Sequence, residues 1–213
     1  MYNKAYSSRL EEFKSLAPEA FAAFIAFDNE ALAPGKLQPK LKELIAVAVA
    51  HTTGCPYCIE LHVNQAKKQG AKKEEVAEAI MVATALKAGS AIAHSVNAWN
   101  AYDGNGADEL YKSSYFNRLE ELKTYNEEVF QKFLSFDQAA LQTGTLTVKE
   151  KELIAIAVAH TTGCPYCIEL HTAAVKVAGA SREEVAESVL VATALKAESA
   201  LAHGVNALNA YDQ

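Results

Sequence analysis

The chain has 213 residues, half of them hydrophobic and 22% charged, long enough to bury a substantial core in one large domain or two small ones. A formal net charge of −6 argues against nucleic acid or an anionic membrane surface as partner, since neither would attract it electrostatically. Its four cysteines fall as two CxxC pairs, Cys55/Cys58 and Cys164/Cys167, rather than as the framework of a small secreted scaffold; in a reducing compartment that pattern points to redox chemistry or metal binding.

The first segment, MYNKAYSSRLEEFK, is charged from Lys4 onward and lacks the apolar core of a signal peptide. The longest uncharged run, 44–59, is too short to span a bilayer and carries His51, Gly54 and Pro56. A cytoplasmic, membrane-free protein is the default expectation. Leu10, Phe13 and Leu16, then Phe21, Phe24 and Phe27, recur at helical spacing, and the phenylalanine stripe predicts core packing. KELIAVAVAH at 42–51 fits a helix or a buried strand equally, because alternating Val and Ala suit both. Gly54 breaks that run, and Pro56 sits where the first turn of a new helix tolerates a missing N–H. Gly70 is a candidate C-cap for this helix, with Lys67 and Lys68 suiting its negative end. Glu74-Glu75, and Glu183-Glu184 behind Ser181 as N-cap, mark further helix starts. The last segment, EEVAEAIMVATALKAGSAIAHSVNAWNAY, is rich in small residues and predicts a buried helix hairpin or a helix at a subunit contact. Nothing reads as a turn between two strands, so the fold class is all-α.

Sliding the sequence by 109 residues aligns it with itself end to end without a gap. Tyr2 falls on Tyr111, Arg9 on Arg118, and Phe27-Asp28 on Phe136-Asp137. From 42 to 103 the copies agree at roughly three-quarters of positions, which marks a true duplication. All the histidines pair: His51 with His160, His62 with His171, His94 with His203. The predicted boundaries are 1–103 for the first repeat, 104–109 for a short polar linker and 110–213 for the second.

One phrase, AVAHTTGCPYCIELH, is identical in both copies, at 48–62 and 157–171. On a helix, Cys55, Cys58 and His62 fall within about 60° of arc. Cys55 would lie at the helix start, where unpaired N–H groups and the dipole favour a thiolate. His62 could accept a thiol proton, directly or through water. Glu43 borders an apolar run, where a carboxylate is costly to bury without a partner such as a histidine. The resulting pattern, Glu-x11-Cys-x2-Cys-x3-His, is present as Glu43, Cys55, Cys58, His62 and as Glu152, Cys164, Cys167, His171.

That pattern resembles the alkylhydroperoxidase D-like proteins of the carboxymuconolactone decarboxylase superfamily, over the core of both repeats. The resemblance implies an all-α protein of two tandem helical repeats packed as a pseudo-dimer, acting as a thiol peroxidase without cofactor or bound metal. It implies that Cys58 and Cys167 attack the hydroperoxide, and that Cys55 and Cys164 resolve the sulfenic acid into a disulfide. Glu43 with His62, and Glu152 with His171, would form the proton relay. Its partners would be a hydroperoxide substrate and a thiol or dithiol reductant protein. Family members form trimers or hexamers, so a homotrimer of tandem chains is expected. Tyr57 and Tyr166 stand where the best-known members carry a histidine, and a phenol is no base at neutral pH. Decarboxylases of the superfamily lack the dithiol, which counts against that activity.

Other readings compete. CPYC also occurs in glutaredoxins, but a thioredoxin-type fold would place a cis-proline downstream of the dithiol, and the second copy contains only Pro165. Cys55, Cys58 and His62 with Glu43 or His51 could instead bind a metal, or the cysteines could be small buried hydrophobes. A general dithiol/disulfide oxidoreductase and a non-enzymatic helical oligomer binding a small ligand are the functional alternatives. His51 and His160 read as helix-end caps, His94 and His203 as core or interface residues.

Overall fold

The computed structural model describes residues 3–104 and 109–213, and among these every regular element is a helix. Residues 105–108 of the expected linker, and Tyr2 of the repeat pairing, lie outside the described residues. The first repeat runs through a 3-10 segment Lys4–Glu11, α1 Glu12–Leu16, α2 Pro18–Leu32, α3 Pro39–Thr53, α4 Pro56–Lys68, α5 Lys73–Ala93 and α6 Ser95–Tyr102. The second runs through a 3-10 segment Ser113–Arg118, α7 Leu119–Tyr125, α8 Glu127–Leu141, α9 Val148–Thr162, α10 Pro165–Val177 and α11 Arg182–Tyr211.

The ambiguous KELIAVAVAH is helical, and its lack of amphipathic period has a physical cause. Helix α3 is buried on every side from Leu41 to Ala50, as its twin α9 is from Lys151 to Ala159. A helix apolar all round belongs in the centre of a protein. These two helices lie against one another and carry a single core shared by both repeats, to which Leu44, Ile45, Val49, Leu153, Ile154 and Ile156 all belong. Each such side chain contributes roughly 1.5–3 kcal/mol by leaving water.

Both central helices stop at a glycine. Gly54 at φ 73° and Gly163 at φ 71° adopt the left-handed conformation that ends a helix and turns the chain toward the cysteines. Helix α4 caps on Gln69, and Gly70, at φ 83°, follows it as the left-handed residue. The expected starts hold as well. Glu75 accepts from the Lys72 N–H at 2.7 Å, and Ser181 and Glu184 close a reciprocal capping box.

The Ala-rich segments form no hairpin. In the first repeat the chain continues past a break at His94, and in the second α11 is one helix of 30 residues. His94 keeps a right-handed helical backbone (φ −74°, ψ −7°) and α11 runs unbroken through His203, so the chain reverses at neither position. The 73–102 stretch meets the length and hydropathy of a membrane span, but here it packs on α8, α9 and α10.

Each long helix crosses to the other repeat. Helix α5 lies on α8, α9 and α10, while α11 lies on α2, α3 and α4. Paired polar locks fix this exchange. Glu187 of α11 accepts the Lys36 and Leu37 N–H groups at 2.7 and 3.0 Å and meets the buried Lys42 ammonium at 3.1 Å. Glu78 of α5 repeats this with Thr145, Leu146 and Lys151. Burial opposes its charge, yet the Lys151 ammonium and the two N–H groups bring Glu78 down to about 2. A Cβ on Gly35 or Gly144 would come within 2.5 Å of these carboxylates, so glycine is what lets them close. Arg9 likewise clasps Asn209 and Asp212, and Arg118 clasps Asn100 and Asp103.

Candidate active site

The CxxC phrase starts a helix in each repeat. Cys55 and Cys164 are the N-caps of α4 and α10, with the proline at the first helical position. Their sulfurs accept the backbone N–H of Cys58 at 3.2 Å and of Cys167 at 3.3 Å. The first pair is a disulfide with Cα atoms 5.4 Å apart, and the second is two buried free thiols. Backbone angles at Cys55 (φ −88°, ψ 105°) and Cys164 (φ −86°, ψ 106°) match, so one backbone accommodates both oxidation states.

Glu43 and Glu152 are not solvated helix-start residues. They reach from the buried central helices, and His62 and His171 each donate from Nδ1 to them at 2.8 Å. A histidine fixed this way offers its other nitrogen to whatever lies in front of it. His62 shares the inner face of α4 with Cys58, and His171 that of α10 with Cys167. All eight candidate residues are therefore gathered into two sites, one per repeat. His51 and His160 stand apart, bonding Val47 and Ile156 carbonyls one turn back in their own helices. Among the described residues no group of three His, Cys, Asp or Glu side chains is placed to hold a metal ion.

In the second site the thiols share a proton unequally. The Cys167 S–H donates to Cys164; burial opposes the charge, but the Cys167 N–H, the Ser90 hydroxyl and the nearby His94 favour it, and Cys164 falls to about 6. Cys167 is pushed far above the thiol range by that same sharing and by burial. The first negative charge thus rests on Cys164, whereas Cys167 is the sulfur that faces open space. Cys167 and His171 line a cavity of about 600 Å³ with Leu86, Phe116, Phe130 and Phe133.

Several of these contributors escaped the sequence reading. Ser90 on α5 and His94 at its C-terminal end come from the other repeat, a crossing no spacing rule foretells. Asp28 and Asp137 register in the sequence only as repeat markers. Burial, then the neighbouring Glu198, raises Asp28 to about 6, and burial raises Asp137 as well. The phenylalanines prove to be cavity wall rather than filled core: Phe21 and Phe24 line a pocket at the first site and Phe130 and Phe133 the cavity at the second. Glu198 also went unread; its signal is the single position, x in the repeated phrase VATALKA-x-SA, where the second copy brings a carboxylate and the first has Gly89.

Comparison with known proteins places the chain in a family and its fold beside a solved one. The family model of the carboxymuconolactone decarboxylase family matches residues 18–101 and again 127–210. An uncharacterized protein from the cox locus of Paracoccus denitrificans is 48% identical over 81 residues, 38% of this chain and 73% of its own length. An uncharacterized protein of Cupriavidus necator is 32% identical over 90 residues, covering 42% of this chain and 80% of itself. A crystal structure described as a candidate gamma-carboxymuconolactone decarboxylase subunit, from Burkholderia xenovorans, superposes with a TM-score of 0.70 at 19% identity. It covers 98% of this chain and 95% of its own, and so shares the fold. With both halves of the chain matched, the protein belongs to the carboxymuconolactone decarboxylase family and carries its domain twice in tandem.

Proposed function

We propose that the protein is a thiol-dependent peroxidase that reduces hydroperoxides through its CxxC dithiol. The observation that carries this reading is the second site: a dithiol whose N-cap sulfur ionises near 6, opening with a fixed histidine onto an apolar cavity. The family's name refers to decarboxylation, and the dithiol is what directs the reading to peroxide instead. A hydroperoxide with an organic substituent suits the apolar walls.

The steps balance with no cofactor. Cys167 Sγ attacks the distal peroxide oxygen and the O–O bond breaks. The thiol proton of Cys167, carried by Cys164 or by His171 held on Glu152, ends on the departing alkoxide as an alcohol. The resulting Cys167 sulfenic acid meets the waiting Cys164 thiolate, the S–S bond forms, and hydroxide leaves and takes a proton as water. Sulfur has lost two electrons and the peroxide has gained them. A thiol or dithiol reductant protein would restore the pair. The charge on Cys164 and the place of Cys167 on the cavity wall then serve different steps, resolution and attack.

A fused pair replacing a dimer of single-copy subunits would assemble as a homotrimer of tandem chains, which would cover such exposed apolar side chains as Val177 and Leu190. A sedimentation mass of one chain would remove that part of the proposal. For the chemistry, reduced protein mixed with limiting organic hydroperoxide should lose two thiols per reacting site, regained with dithiothreitol. An unchanged thiol titre, with the peroxide unconsumed, would count decisively against it.

A further inference from the structure

Resting on the peroxidase reading, we propose that the two sites have diverged: Glu198, reaching across from the second repeat, closes the first site, and peroxide turnover belongs to the second site, where Gly89 occupies the same repeat position. Three geometric observations support the division. First, His62 is held at both ends, by Glu43 at Nδ1 and by Glu198 at Nε2, each at 2.8 Å. Carboxylates only accept, so both ring nitrogens carry protons, and the ring has no lone pair left to take one from a thiol. Second, Glu198 and Tyr57 line the pocket of about 470 Å³ at the first site, whereas Cys58 and His62 lie behind that wall. Third, the corresponding cavity of the second site is walled by Cys167 and His171 themselves, with Gly89 beside them.

The electrostatics run the same way. His62 is faced by Glu43 from α3, Glu198 from α11 and Asp28 from α2. Burial disfavours its charge, but the hydrogen bonds to Glu198 and Glu43 outweigh it and lift the ring to about 9. It therefore stays an imidazolium across the neutral range. His171 is faced by Glu152 from α9 and Asp137 from α8, and α5 offers only Gly89 at the position of the second clamp. Room for a side chain exists there: a Cβ on Gly89 would meet only the tip of the Phe133 ring, at 3.8 Å.

The test is a reciprocal exchange, read in three ways on the full chain. Cys164→Ser/Cys167→Ser should lose nearly all consumption of cumene hydroperoxide, although the first dithiol is intact. Adding Glu198→Gly to that variant should restore measurable consumption, a gain that misfolding does not produce. Gly89→Glu alone should cut turnover at least about tenfold, the effect of one charge-assisted hydrogen bond now to be broken. NMR titration of the ring protons should show His62 charged to above pH 8 and shifted downward by Glu198→Gln with His171 unmoved. On reduced protein, iodoacetamide should reach Cys167 before Cys58. Equal turnover by both dithiols, or a first site that gains nothing from Glu198→Gly, overturns the division and leaves the peroxidase reading intact. Should neither dithiol consume peroxide, that reading fails, while the titration and the alkylation order still decide whether the sites differ: a His62 that titrates with His171 and sulfurs alkylated at one rate overturn the division too.

Discussion

The two CxxC sites share an identical fifteen-residue phrase and nearly the same backbone, yet they are chemically unlike. Both hold a histidine on a buried glutamate, and both borrow the long helix of the opposite repeat. What separates them is one residue on that borrowed helix. Where α11 brings Glu198, the imidazole is clamped and the sulfurs lie behind a wall; where α5 brings Gly89, the imidazole and a sulfur face an apolar cavity. A duplicated site can thus change character while its own motif stays untouched, because part of it is supplied from elsewhere.

That contrast can be broken or sharpened experimentally. The largest effect should come from Cys167→Ser, which abolishes peroxide consumption at the second site; Cys164→Ser should instead leave a stable sulfenic acid, visible in the mass as one added oxygen. Turnover unaffected by either substitution would remove the assigned roles. Glu152→Gln should lower turnover roughly 10²-fold by leaving His171 without its anchoring carboxylate. Steady-state rates across pH would check this, since a merely structural defect would not reshape the profile.

Symmetric features should respond symmetrically. Glu187→Ala and Glu78→Ala each leave a buried lysine without its carboxylate, and both should cost about 2–4 kcal/mol in urea unfolding. A cost confined to one would show that the repeats also differ in their packing.

Stability against pH offers a smaller asymmetric signal. Because the folded His62 titrates near 9 rather than the ordinary 6.5, its contribution is complete below about 6.5 and disappears as pH rises through 9. Over that window unfolding free energy should decline by an amount of order 1–3 kcal/mol, and Glu198→Gln should flatten the decline. A profile identical in the variant would sink the clamp. Smallest of all, Gly54→Ala and Gly163→Ala should each cost about 1 kcal/mol, and equally. A Cβ has open space at both sites, so backbone strain at positive φ is the whole effect.

Much of this was legible in residues taken one at a time. The 109-residue offset fixed the duplication, Gly54 and Pro56 fixed the entry to α4, and Ser181 with Glu184 fixed the start of α11. Glu43 could be matched to His62 because an acid bordering an apolar run requires a partner. One reading stayed open and one failed, each because periodicity does not report what covers a face. KELIAVAVAH showed no single period because it is covered all round, and the phenylalanine stripe looked like core because a cavity wall and a core wall have the same periodicity.

By itself, then, the sequence determined the helical class through local propensity, the repeat through its match to itself at a fixed offset, and the grouping of each cysteine pair with its histidine through short-range spacing, while the cost of burying a carboxylate pointed to the glutamates. Only the tertiary structure decided which helix completes each set. The crossing of α5 and α11 is settled by packing two all-apolar central helices together and by carboxylates that find N–H groups and ammonium ions far away in the chain. Contacts of that kind depend on the shape of the whole core, and no window of sequence contains it.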